Sequence, residues 1–98
     1  MEIKKLDPII HEKTRFLILL FLLKNKEVDF KFLKDATQTT EGNLSSHLKV
    51  LEENGFVNVR KTFIKKRPKT FYTLTEEGER RLIEYINNLK HILKKIGR

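Results

Sequence analysis

Residues 39–57 constrain this chain more than any other stretch, because they specify a helix from its first turn to its stop. Thr39, Thr40 and Glu41 supply the hydroxyl and carboxylate oxygens that satisfy unpaired N–H groups at a helix start and complement its dipole. Asn54 and Gly55 end it: glycine adopts the left-handed backbone that follows a last helical turn, which sets Phe56 against Leu51 in the hydrophobic contact of a C-terminal cap. In between, Leu44, Leu48 and Leu51 are spaced four and three apart and form one apolar stripe. The opposite surface carries Gly42, Asn43, Ser46, Lys49 and Val50, which are mostly small, polar or cationic. A short helix pinned by a leucine edge, with hydrogen-bonding side chains on its outer face, suits the major groove of duplex DNA.

The rest of the chain agrees with an anionic partner. A formal charge of +8 and a pI near 9.8 over 98 residues point to nucleic acid. The length suits one domain, which buries roughly 60–70% of its unfolded surface. With no cysteine, disulfides, thiolate metal sites and thiol catalysis are excluded. The longest apolar run, residues 16–23, is well below the roughly 18–20 residues of a bilayer span, and the start lacks a secretory apolar segment. A cytoplasmic protein without membrane association is expected.

In chain order, Asp7 and Pro8 predict a helix start, with an acceptor at the cap and proline at the first helical position. This helix is expected to run to about Lys24, apolar on all sides from Phe16 to Leu23, so that most of that stretch lies inside a core or a subunit contact. Ile3 and Leu6 are apolar residues of a polar arm that should dock. Glu27, Val28 and Asp29 allow one bridge of strand, after which Asp29 can cap a short helix over residues 30–36 with Phe30 and Leu33 inward. Gln38 and Thr39 turn into the helix described above, completing a helix-turn-helix unit.

Beyond Gly55 the apolar period changes to two. Val57, Val59 and Phe63 alternate with Asn58, Arg60 and Thr62, and a second run over residues 70–74 is rich in aromatic and β-branched side chains. Between them, Lys65, Lys66, Arg67, Pro68 and Lys69 predict a turn of residues 65–69. Six basic and no acidic residues between Arg60 and Lys69 make this a β-hairpin with a cationic tip. Thr75, followed by Glu76 and Glu77, caps a last helix to about Ile96. Its stripe of Leu82, Ile86, Leu89, Leu93 and Ile96, widened by Tyr85 and Ile92, reads as a two-heptad seam facing a partner chain. The expected organisation is a DNA-binding unit over residues 1–75 and a dimerisation helix over residues 76–98, within one structural domain. The fold class is mainly α with a small antiparallel β-hairpin.

Three pieces carry a family resemblance: residues 43–57, the basic segment 65–69, and the run Tyr72, Thr73, Leu74, Thr75, Glu76, Glu77, Gly78. Together they resemble the winged helix-turn-helix transcriptional regulators of the MarR and ArsR type, and more closely the minimal one-domain regulators of archaea. The resemblance implies a homodimer on double-stranded DNA, with one recognition helix per subunit in the major groove and wing tips on the backbone or minor groove. It implies DNA contacts from Thr39, Thr40, Gly42, Asn43, Ser45, Ser46, His47 and Lys49, and from Lys65, Lys66, Arg67 and Lys69 of the wing. It also implies a dimer interface of Leu82, Tyr85, Ile86, Leu89, Ile92, Leu93 and Ile96. The cysteines of the metal-sensing branch are absent, and 98 residues leave little room for the extra helices of the effector-binding branch, so a small-molecule effector is not expected.

Catalysis is not expected. His11, His47 and His91 have no neighbour at metal-ligand spacing, so neither metal nor cofactor is called for. Ser45 and Ser46 lack an activating pair, and there is no glycine-rich phosphate loop. Two functions remain: a sequence-specific regulator, or a winged helix used as an architectural DNA coat or protein-interaction module. The mixed chemistry of the recognition face favours the regulator, because a coat needs only cations.

Overall fold

The computed structural model describes residues 6–97 as four helices and a three-stranded antiparallel sheet. The elements run α1 (Lys13–Lys24), β1 (Val28–Asp29), α2 (Phe30–Thr37), α3 (Glu41–Glu53), β2 (Val57–Ile64), β3 (Arg67–Leu74) and α4 (Glu76–Gly97). In the sheet the order is β1-β3-β2, with Val28 opposite Tyr72 and Asp29 opposite Phe71 at the short edge. The two-residue strand β1 thus flanks the hairpin on the β3 side, leaving β2 at the other edge of the sheet.

Each helix start is set by a local acceptor. Asp29 takes the Phe32 N–H at 2.8 Å to begin α2, and Thr40 takes the Asn43 N–H at 3.1 Å to begin α3. Thr75 Oγ1 accepts from the Gly78 N–H at 2.7 Å to begin α4. Only α1 departs from the sequence expectation, beginning at Lys13 and not at Pro8. The reason is that Asp7 closes a separate turn: its carboxylate accepts from Ile9 N at 2.9 Å and its carbonyl from His11 N at 2.8 Å. Glu12 then caps α1 through the Arg15 N–H at 2.8 Å.

The core lies where α1 meets α2, α3 and the sheet, and it is filled by Ile18, Leu19 and Leu22 with Leu33, Leu44, Leu48, Leu51 and Phe56. Within residues 16–23, Ile18, Leu19 and Leu22 are buried and Phe16 and Phe21 pack against the core, while Leu17 and Leu23 are exposed. Leu6 packs against the core, whereas Ile3 lies outside the described residues. On α4, Leu82 and Tyr85 are fully enclosed by this same core. Their place on a partner-facing seam is thereby corrected: the first turns of α4 are needed to cover Phe56 and Phe16, whose ring centroid lies 5.3 Å from that of Tyr85. The last turns of α4 run past the body of the domain, where Leu93 and Ile96 are 58% and 63% exposed. The overall extents are 54 × 25 × 21 Å, and the radius of gyration is 14.7 Å. A compact chain of this length has about 13 Å.

Among the described residues, no helix is long and apolar enough to cross a membrane.

Candidate nucleic-acid interface

The site is built from α3 and the tip of the β2–β3 hairpin. Leu44, Leu48 and Leu51 are buried, so helical geometry turns Gly42, Ser46, Lys49 and Glu53 directly outward, with Asn43 and Ser45 flanking them. All six are exposed. The N-terminal half of this face is short and polar, and its side chains leave the backbone approachable. At the other end the Phe56 N–H bonds to the Leu51 carbonyl at 2.9 Å and the Gly55 N–H to Glu52 at 3.1 Å, with Gly55 at φ 78°. This pair of bonds is the left-handed helix stop expected from the sequence.

Thr39 and Thr40 lie at the entry to α3 and are partly engaged within the protein. The Thr40 hydroxyl serves as the cap, and Thr39 Oγ1 lies 3.0 Å from Thr37 Oγ1. The turn before them is held by Gln38 in a left-handed conformation at φ 53°.

His47 is set apart from the other α3 residues. Its Nδ1 lies 3.1 Å from Arg15 Nη1 and 3.6 Å from a Glu12 carboxylate oxygen, on the side of α3 that faces the start of α1. Burial pushes the Glu12 carboxyl up, but the Arg15 and Thr14 N–H groups and the neighbouring His47 and Arg15 outweigh this and hold it below its usual range. Arg15 also donates Nε–H to the Ile9 carbonyl at 2.6 Å, so this cluster fixes α3 against the turn before α1.

A second cluster holds the other end of α3. From α4, Arg81 donates to the Asn54 carbonyl at 3.0 Å and to Asp7 Oδ2 at 2.8 Å, and its guanidinium lies 4.0 Å from the Phe56 ring centre. Thr75 adds a hydroxyl bond to the Gly55 carbonyl at 2.6 Å. Neither Arg15 nor Arg81 stands out in the sequence, because each partner lies elsewhere in the chain and no local spacing marks it.

In the hairpin the expected turn over residues 65–69 is shorter. Only Lys65 and Lys66 form it, while Arg67, Pro68 and Lys69 belong to β3 and pair with Ile64, Phe63 and Thr62. Lys65 and Lys66 have φ of 52° and 67°, the backbone of a two-residue turn that normally selects asparagine and glycine. The cations divide into two groups. Arg60 forms a two-point bond to Glu27 at 2.9 and 3.2 Å and lies over the Phe71 ring, and Lys69 meets Asp29 at 3.3 Å. These two are paired along the body of the hairpin, on the strands and not at the tip. Lys61, Lys65, Lys66 and Arg67 are exposed and have no acidic partner among the described residues. The described residues also contain no group of three or more His, Cys, Asp or Glu side chains gathered to hold a metal ion.

Comparison with known proteins agrees with this geometry. The family described as "winged helix DNA-binding domain" matches residues 14–93. An uncharacterized protein of Methanocaldococcus jannaschii is 38% identical over 88 residues, covering 90% of this chain and 96% of the relative. The solved structure of a transcriptional regulator homologue from Pyrococcus horikoshii OT3 superposes with a TM-score of 0.87 at 30% identity, over 95% of this chain and 93% of that one. PadR of Bacillus subtilis, solved with operator DNA, shares the fold at a TM-score of 0.69 and 24% identity, over 76% of this chain and 47% of PadR.

Proposed function

The chain belongs to the winged helix DNA-binding domain family, and from that membership we propose that it regulates transcription by binding specific duplex DNA as a homodimer. The observation that carries the proposal is the pairing of an exposed, chemically mixed face on α3 with a hairpin tip whose cations lack acidic partners. Asn43, Ser45, Ser46 and Lys49 face base edges and adjoining phosphates in the major groove, and Gly42 lets the helix approach closely. Thr39 and Thr40 lie beside the backbone at the helix entry. Lys65, Lys66 and Arg67 hold phosphates or the minor groove, whereas Lys69 supports the hairpin through Asp29. His47 acts indirectly, by positioning α3 through Arg15 and Glu12. PadR, which shares this fold, is solved in complex with operator DNA, and this supports the reading.

The dimer would use the outer end of α4, where Leu93 and Ile96 lack cover. They continue at three and four residues a stripe begun by Ile86 and Leu89, which pack partly on the core, while Ile92 is buried within the protomer. Residues 76–98 would then serve the core with one end and the partner with the other. Half-sites lie about one helical turn apart in such an arrangement.

The test is selection from a randomised duplex pool, with the salt dependence of binding recorded on the winners. An enriched inverted repeat supports the regulator, while tight binding without sequence preference indicates an architectural coat. Failure to bind duplex even at low salt would leave a protein-interaction module. On a selected site, Asn43→Ala is expected to lower the preference for that site over random duplex by about 1–3 kcal/mol while sparing non-specific binding, measured by competition titration. Equal loss of both would remove Asn43 from base readout.

A further inference from the structure

The hairpin extends beyond the core it helps to build. On the helix-facing side of the sheet, Val57 opposite Leu74 and Val59 opposite Tyr72 are packed against the core. The next pairs on that side are Lys61 opposite Thr70 and Phe63 opposite Pro68. Phe63 is 74% exposed, more than any other large hydrophobic residue described, and it is not among the residues packed on the core. Because Lys65 and Lys66 make a two-residue turn, the Ile64–Arg67 pair is the hydrogen-bonded one, and Phe63–Pro68 is the closer, non-hydrogen-bonded kind. Proline is tolerated there because its nitrogen faces away from β2, where it needs no partner. Two stiff rings thus stand opposite each other at the end of the hairpin.

The surroundings of this apolar step select its occupant. Lys61, Lys65, Lys66 and Arg67 flank it and have no acidic partner among the described residues. A lone apolar patch suits any hydrophobic surface, but one ringed by four cations suits a polyanion that also offers apolar faces. Duplex DNA does so, with stacked bases between two rows of phosphates.

We propose that Phe63, backed by Pro68, is a wedge that enters the minor groove and partly unstacks one base step, while Lys65, Lys66 and Arg67 hold the flanking phosphates. The proposal rests on the DNA-binding reading above and deepens it, giving the wing an action on DNA shape. Unstacking kinks the duplex toward the major groove, and it costs least at pyrimidine–purine steps. The wing therefore selects sequence at base pairs that α3 does not touch, favouring TA and CA steps.

The experiment uses the full chain on a selected duplex that carries 2-aminopurine at successive places along each flank and a donor–acceptor dye pair on its ends. Saturating wild-type protein is expected to raise 2-aminopurine emission at one step per flank and to shorten the end-to-end distance. Phe63→Ala should abolish both signals and weaken binding about tenfold, while Phe63→Trp keeps them. Lys66→Ala should lower the salt slope by about one and leave the emission at saturation intact. The exposure of Phe63 leaves the fold independent of it, which a thermal melt of Phe63→Ala verifies. If wild type saturates the duplex without either signal, or if Phe63→Ala matches wild type, the wedge is overturned and DNA binding stands. If Phe63→Ala instead changes the mass of the protein in solution, the ring packs on a second copy and the wedge is again overturned. If wild type binds no duplex at low salt, the DNA reading itself fails.

Discussion

Gly78 lies where the first turn of α4 crosses the Phe56 backbone, and a methyl group there would collide with the Phe56 carbonyl oxygen and come within 2.9 Å of its Cα. Backbone cannot rotate aside as a side chain can, so α4 would have to lift away from its cap on Thr75. Gly78→Ala is expected to destabilise the fold by about 2–3 kcal/mol, seen as a lower urea midpoint. Asp29 offers a different test. The Phe32 N–H bond, opposed by burial and aided by Lys69, holds its carboxyl below the usual aspartate range. A lowered folded pKa means that the contribution is present above the unfolded value of about 3.9 and is lost as pH falls through the folded value. Asp29→Ala should therefore cost about 1 kcal/mol near neutral pH, and the gap to wild type should fade as denaturant melts are taken below about pH 4. These caps were legible in the sequence, as were those of Thr40 and Thr75, because a cap acts on N–H groups two or three residues away. Arg81 and the Arg15–His47 pair were not legible, since their partners are brought near only by the finished fold.

At the scale of elements, the hairpin turn is the part most at odds with local preference. Two lysines hold left-handed backbone where each costs about 1–2 kcal/mol. Replacing Lys65 and Lys66 together by Asn and Gly should raise stability by about 1–2 kcal/mol in thermal melts. The same change should reduce the slope of log affinity against log salt by about two. A more stable protein with an unchanged salt slope would remove the tip from the DNA interface. The change of period makes the hairpin itself legible, but five basic or proline residues in a row resemble loop and predict too broad a turn. Register decided otherwise, with Ile64 opposite Arg67. The start of α1 escapes the sequence for a similar reason: Asp7 and Pro8 fit a helix cap and an isolated turn equally well, and the Arg81 contact that holds Asp7 lies far along the chain.

Across the whole molecule, α4 joins two environments in one helix. Its stripe keeps the same spacing throughout, so sequence alone could not divide the turns that fill the core, with Leu82 and Tyr85, from those that extend beyond it, with Leu93 and Ile96. In the proposed dimer the outer turns are the contact. Leu93→Glu with Ile96→Glu should leave the thermal melt of the domain nearly unchanged while converting a dimer to a monomer in sedimentation equilibrium. The same variant should bind an isolated half-site but lose the advantage of two. Retention of the dimer would move the interface elsewhere, with the exposed Leu17 and Leu23 of α1 the next surface to change.

The bonds from Thr75 to Gly55 and from Arg81 to Asn54 tie the end of α3 to the start of α4. Through these two bonds, a swing of α4 in the proposed dimer would carry the end of α3 with it, as a handle carries its jaw. In a pair joined at the far ends of α4, the angle between the handles sets the gap between the two jaws. Small changes at that distant joint, over a lever of about 30 Å, would thereby decide which half-site spacing can be gripped and which is passed over.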